Sequence, residues 1–379
     1  MLVVAPYRYD SVIYSEDSML DRYLDSLGDG LWALAMRLSG WVKAFRGFYD
    51  ENDPVARQDI VARFLFAARS LILIISAQAA VIAGLLAYVD SAFNLLYFWL
   101  ILFAFVTIHA VSNLLNDYFG FLRGHDTPDS PRRRYTLHPL ADGILTRSQM
   151  RKGIVLMVLF DVAIGAFFTA VRGPLIILFM LVGLAMLLLY DAAPRPLKSV
   201  GLGEPAAFVV WGPLMIFGGY FAISGRLSMG ALLVSIPYGL GVMTILVGKH
   251  IDQESYDRPH GVRTLPVLVG EARARGLAAT AIVLMYVFTV VSVIYGALAV
   301  TSMIVLLNYR KAASALSQLS RERPSKPPDG YRGWPLWYHR FCLLHNQDFG
   351  YLYILGLIIA AIFASSPLAH ILNTPFLPR

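Results

Sequence analysis

The chain has 379 residues, 57% of them hydrophobic and 15% charged, with a mean hydropathy of +0.59. Soluble domains carry about 25% charged residues, so the composition excludes an ordinary soluble enzyme and indicates an integral membrane protein in the lipid bilayer. The net charge of +7 sits between apolar segments, which fits membrane topology and argues against nucleic acid as a partner.

Residues 1–65 are mixed and polar, with no short apolar core followed by a small-residue cleavage site. They read as a cytoplasmic or interfacial extension ahead of a transmembrane domain over 66–379. Within the extension, Leu24, Leu27, Leu31, Leu34 and Leu38 lie near helical spacing. That predicts an amphipathic helix in 20–48, lying on the membrane interface or docked on the bundle.

Uncharged stretches then run 70–89, 91–116, 173–190, 205–225, 227–248, 276–309 and 349–378. Another, 153–171, is interrupted only by Asp161. A crossing needs about 20 apolar residues. The stretch 276–309 is too long for one crossing, since a single helix of that length would measure about 51 Å. Gly296 is a suitable turn, and the second helix then continues past Arg310 and Lys311, whose side chains snorkel. With nine spans, 29 of the 32 Lys and Arg residues share one side with the amino terminus, leaving Arg172, Arg226 and Arg379 opposite. The positive-inside rule therefore predicts an all-α, nine-span helical bundle in the cell (inner) membrane, with the large loops cytoplasmic. The tract 310–348 is expected as a cytoplasmic loop before the last span, with Trp334 and Trp337 as interfacial anchors. Thr146 and Gln149 have capping-box spacing and mark the start of the third span. Asp161, inside that span, is a functional candidate or a partnered structural acid. The single cysteine, Cys342, precludes an intramolecular disulfide and reads as a buried thiol.

Polar chemistry collects in two stretches expected to be cytoplasmic loops, 113–146 and 248–271, each mixing Asp and Arg with Gly and Pro. Carboxylates that hold Mg2+ against phosphate oxygens, with basic side chains neutralising the remaining charge, suit a diphosphate. Apolar spans beneath them suit a hydrocarbon tail. The histidines are scattered without zinc-site spacing; His250 and His260 are candidates for proton removal.

Three blocks resemble the UbiA-type membrane prenyltransferase superfamily, nearest its 1,4-dihydroxy-2-naphthoate prenyltransferases of menaquinone synthesis. NLLNDYFGFLRGHD (113–126) looks like the first acidic motif. The block YDAAPRPLKSVGLGEPAAFVVWGPLMIFGGY (190–220) is similar to that branch's loop and following span. DRPHGVRTLPVLVG (257–270) looks like the end of the second motif. The resemblance implies an isoprenyl diphosphate donor, an aromatic acceptor and Mg2+. The candidates for metal and catalytic roles are Asp117, Asp126, Asp252 and Asp257, with Asp129 nearby. The candidates for substrate binding are Asn113, Asn116, Arg132, Arg134, Tyr190, Arg195, Lys198, Glu204, Lys249 and Arg263, with Arg133 beside them.

This chain departs from the motifs at three places. Gly120 stands where the first motif has Asp, Gln253 where the second has an acid four residues before its last Asp, and Lys249 where Asn is usual. Asp252 is about 140° from Asp257 on an ideal helix. Either Asp126 and Asp252 replace the lost ligands, or the homologue is impaired. A non-catalytic prenyl-lipid-binding protein and a transporter are the alternative classes.

Overall fold

The computed structural model describes residues 29–49, 59–331 and 333–364. Among them all regular structure is helical. Leu24, Leu27, Arg379 and the end of the last apolar stretch lie outside the described residues.

Helix α1 (Asp29–Phe45) packs on the short α2 (Ile60–Ala67) through Ala44, Ala62 and Phe66. Trp41 Nε1 also donates to Asp59 Oδ2 at 2.8 Å, and Asp59 in turn caps α2. The opposite face of α1, with Leu34, Leu38, Val42 and Phe45, is exposed. One face docks on the bundle, and the other retains the amphipathic character read from the leucine spacing.

The bundle proper follows as α3 (Ser70–Val89), α4 (Leu95–Leu122), α5 (Arg147–Arg172), α6 (Leu175–Asp191), α7 (Gly203–Ser224) and α8 (Met229–Asp257). A short α9 (Leu265–Val269) precedes α10 (Glu271–Ile294). A 3-10 segment, Val300–Asn308, then runs into α11 (Tyr309–Leu319), and α12 (Tyr338–Phe363) closes the bundle. Seven of these helices are long and apolar enough to cross a membrane; α6 is apolar but shorter. The stretch 276–309 does divide at Gly296, which takes the left-handed φ of +76° that glycine adopts freely. The last helix begins at Tyr338, eleven residues earlier than the apolar run suggests, so the connecting tract shrinks to 320–337.

Local signals set the helix ends. Asn94 and Ser228 cap α4 and α8, accepting from Tyr97 N at 3.0 Å and Ala231 N at 3.2 Å. The capping box at Thr146 and Gln149 opens α5. Within α7, Val210–Phe217 widens into a π-helical segment around Pro213, which accommodates the missing N–H. There Gly212 and Gly239 let α7 and α8 approach closely: a Cβ on Gly239 would lie 2.9 Å from Gly212 Cα. The Tyr238 hydroxyl donates to Ile75 O (2.7 Å) and Gln78 Oε1 (2.9 Å), tying α8 to α3 in the core.

The two ends of the bundle differ in chemistry. Among the described residues, tight turns make up one end, where Arg172 donates to the Ala222 and Ile223 carbonyls and Arg226 to the Asp90 carbonyl. At the other end lie the long basic connections. Arg323 Nη1 donates to Asp252 O at 3.0 Å and Arg275 to Leu319 O at 3.2 Å, so the 320–337 tract sits at this second end. Trp337 is buried in a cluster with Tyr331 and Phe341, and Arg323 lies over Trp334. Both tryptophans pack within this connection. Cys342 is buried, as expected.

Candidate active site

The two acidic stretches begin as helix. No glycine turn or proline interrupts the chain before Gly124 (φ +70°) or before Pro259 and Gly261 (φ +72°), so α4 runs on to Leu122 and α8 to Asp257. Which side chains meet is therefore decided by helical facing.

On α4, Asn116 and Gly120 lie four residues apart and share a face towards a polar cavity. Asp117 is turned about 100° away and does not line it. Its side chain is fully buried in ion pairs with Arg69 Nη2 at 2.5 Å and with Arg132. On α8, Lys249, Gln253 and Asp257 repeat every fourth residue and all line the same cavity. Asp252 points elsewhere. It accepts from Tyr338 N (3.1 Å) and His339 N (2.9 Å), capping α12, with Arg323 3.8 Å away. Thus the structure does not bring Asp117 and Asp252 to the cavity: the first braces Arg69 and Arg132, and the second holds a helix end.

Asp126 does reach the cavity, and its carboxylate lies against Gly120, filling the space a side chain there would need. Behind it, His138 is buried with Nε2 3.1 Å from Asp126 Oδ2. His138 Nδ1 accepts from Leu140 N and Ala141 N, at 3.2 and 3.1 Å. The ring proton therefore sits on Nε2, facing Asp126. The contact is bent too far to be a hydrogen bond. The Tyr256 hydroxyl donates to His125 O at 3.0 Å and lies 2.9 Å from Thr127 Oγ1, joining the first acidic stretch to α8. Burial and the neighbouring Lys198 and Arg123 cations lower the His125 pKa.

The end of α6 supplies a third wall. Asp191, buried, accepts from Asn116 Nδ2 at 2.9 Å and pairs with Lys198 Nζ at 2.5 Å. Arg123 donates to the carbonyls of Asp191, Ala192 and Ala193, at 2.6, 3.2 and 2.8 Å, satisfying the end of that helix. Glu204 lies 2.7 Å from His250 Nδ1 and accepts from Leu265 N at 3.2 Å, so it orients a cavity-lining histidine. His260 is exposed and stacks on Tyr256.

The polar cavity has a volume of about 780 Å³. Beneath it is an apolar cavity of about 850 Å³ between α3, α4, α5, α6, α7 and α8. The two share Arg69, Ile72, Asn116, Tyr190, Lys249 and His339 as lining residues. Arg132, Arg195, Lys198 and Arg263 line the polar cavity and Asn113 the apolar one. Arg134 and Asp129 are exposed and line neither; Arg133 pairs with Asp142. Asp161 lines the apolar cavity, where Thr107 Oγ1 donates to Oδ1 at 2.5 Å while Oδ2 has no partner among the described residues. The sequence reading missed Arg69, Arg123, His138 and Asp191. Of these, Asp191 had a visible signal, as the neighbour of Tyr190 in the quoted block.

Among the described residues, no group of three or more His, Cys, Asp or Glu is gathered as a metal site. Two carboxylates, Asp126 and Asp257, do face the polar cavity. The Asp257 side chain makes no hydrogen bond or ion pair among the described residues although it is buried. Two cavity-facing carboxylates fit Mg2+, which takes one or two together with phosphate oxygens.

The UbiA prenyltransferase family profile matches residues 77–328. The 1,4-dihydroxy-2-naphthoate octaprenyltransferase of Bacillus subtilis is 28% identical over 228 residues, 59% of this chain and 71% of that one. Its Escherichia coli counterpart is 28% identical over 52% of this chain and 66% of its own. A Drosophila melanogaster homolog of UbiA prenyltransferase domain-containing protein 1 is 27% identical over 57% and 60%. The apo UbiA homolog from Aeropyrum pernix K1 superposes with a TM-score of 0.54 at 18% identity, covering 77% of this chain and 97% of that one. The Archaeoglobus fulgidus UbiA homolog bound to GPP and Mg2+ gives 0.52 at 14% identity, covering 79% and 99%. At these identities the structures speak to the fold.

Proposed function

Because the chain belongs to the UbiA prenyltransferase family, we propose that it moves an isoprenyl group from an isoprenyl diphosphate to an aromatic, quinone-precursor-like acceptor, with Mg2+. The observation that carries this reading is the continuity of the two cavities. A basic chamber opens onto an apolar one through shared residues, as a substrate with an anionic head and a hydrocarbon tail requires. Burying the tail is favourable by about 0.8 kcal/mol per CH₂.

Arg132, Arg195, Lys198, Lys249 and Arg263 surround the head, and Asn116 and Tyr190 border the junction. Asp126 and Asp257 would hold Mg2+ against the phosphate oxygens, where it supplies the positive charge that makes diphosphate a better leaving group. The allylic C–O bond breaks and its electron pair leaves with diphosphate. The ring carbon of the acceptor supplies the pair for the new C–C bond, and a proton is lost. Tyr190 stands at the junction where the allylic cation forms, and an aromatic face stabilises such a cation. The apolar walls keep water away from it. Asp117 acts indirectly by holding Arg69 and Arg132, and Glu204 by orienting His250. The basic end of the bundle is assigned to the cytoplasm.

The test incubates purified protein with Mg2+, isoprenyl diphosphates of increasing length, and phenolic or naphthoate acceptors, with products identified by mass. A prenylated ring with stoichiometric diphosphate release is expected. Turnover only with a non-aromatic acceptor would refute the acceptor. Absence of diphosphate release with every pair would leave the non-catalytic binding protein as the better reading.

A further inference from the structure

The polar cavity is far richer in fixed cations than in carboxylates. Asp126 and Asp257 are the aspartates that line it. The neighbouring acids are already matched, Asp117 by Arg69 and Arg132, Asp191 by Lys198. Among the described residues, Arg46, Arg123, Arg195, Lys249 and Arg263 line the cavity with no carboxylate within ion-pair distance. Lys249 differs from the other four by its position. It lines both cavities, is mostly buried, and lies on the α8 face that also carries Gln253 and Asp257. Arg69, Arg132, Lys198 and Asp257 line the polar cavity with it, three of them cations. A partly buried ammonium among cations, without a counter-ion, is a ready site for an anion. His339 faces the same junction, but its Nδ1 is engaged by the Ile245 carbonyl at 3.2 Å.

The carboxylates tell the same story from the other side. The cavity-facing positions 120 and 253 are Gly and Gln, so two carboxylates serve the head chamber, enough for one Mg2+. The remaining charge of a diphosphate has to be met by side chains. We propose that Lys249 binds the donor's diphosphate directly at the junction of the two cavities, as a fixed cation in place of a metal ion, so that donor binding does not require Mg2+ even where turnover does. This rests on the reading that the donor is an isoprenyl diphosphate. No bond is made or broken by Lys249; its role is electrostatic and positional.

The test measures binding, using a non-ionising thiolodiphosphate analogue of geranyl diphosphate and full-length protein in detergent. Trp211, which lines the apolar cavity, provides an intrinsic fluorescence signal. Wild-type protein is expected to bind in EDTA within about tenfold of its affinity in Mg2+. Lys249→Asn is expected to lose at least tenfold in EDTA and to recover most of that loss in Mg2+. Thermal melting checks that the variant is folded, and the wild-type comparison stands without any variant. Wild-type binding seen only with Mg2+ would overturn the proposal, as would an unchanged EDTA affinity in folded Lys249→Asn. Failure to bind under either condition would instead strike the isoprenyl diphosphate reading, which keeps the two failures apart.

Discussion

Asp117 offers the sharpest separation between a ligand and a brace. Its side chain is fully buried between two guanidinium groups, which keep 20% and 13% exposure at Arg69 and Arg132. Asp117→Asn preserves shape but removes the charge, leaving two partly buried cations facing one another. Breaking a buried pair costs roughly 3–5 kcal/mol. The residual exposure of both arginines puts the expected loss near the lower end, about 3 kcal/mol. At about 2 °C per kcal/mol for a large domain, the melting temperature in detergent should fall by about 6 °C. Turnover should fall too, because Arg69 and Arg132 lose their fixed positions, but the Mg2+ concentration for half-maximal activity should stay near the wild-type value. Asp126→Asn and Asp257→Asn should do the reverse, melting within about 1 °C of wild type while turnover collapses and more Mg2+ is needed. The assays are a thermal melt and a Mg2+ titration on all three variants. An Asp117→Asn protein that melts normally yet needs far more Mg2+ would show Asp117 to be a ligand and sink the argument.

Asp252→Asn should lower stability by about 1–2 kcal/mol through the weakened cap on α12, with turnover per folded molecule largely kept; a calibrated melt beside an activity assay checks both. Gly120→Ala places a methyl group against the Asp126 carboxylate, so turnover should drop at least tenfold at limiting Mg2+. Helix propensity favours alanine by about 1 kcal/mol, so its melting temperature should not fall. For sidedness, cysteines introduced one at a time at the exposed positions Arg226, His260 and Asp329 should label in two groups. In a Cys342→Ser background, 260 and 329 should react from one face and 226 from the other. Labelling of 329 together with 226 would contradict the placement of the 320–337 tract.

The sequence by itself determined the class of molecule and the course of the chain. Runs of uncharged residues, the break at Gly296 and the capping box at Thr146 are local signals, and the structure has helices where they lie. The crowding of basic residues at one end was legible for the same reason, since charge along the chain is additive and needs no packing. The motif blocks also located the cavity, because Asn116, Asp126, Lys198 and Asp257 all line it. Tertiary structure alone decided which acids face the substrate chamber. Asp117 and Asp252 sit one residue from cavity-lining positions, yet a step of one residue turns a helix by about 100°. That rotation delivers Asp117 to Arg69, at the start of another helix, and Asp252 to the amino end of α12, which follows more than eighty residues later. Likewise Asp191 reads as an ordinary helix-end acid until α4 brings Asn116 against it. Composition and spacing specify what each helix is made of, but the rotation of one helix against its neighbours is set by how the side chains of both pack.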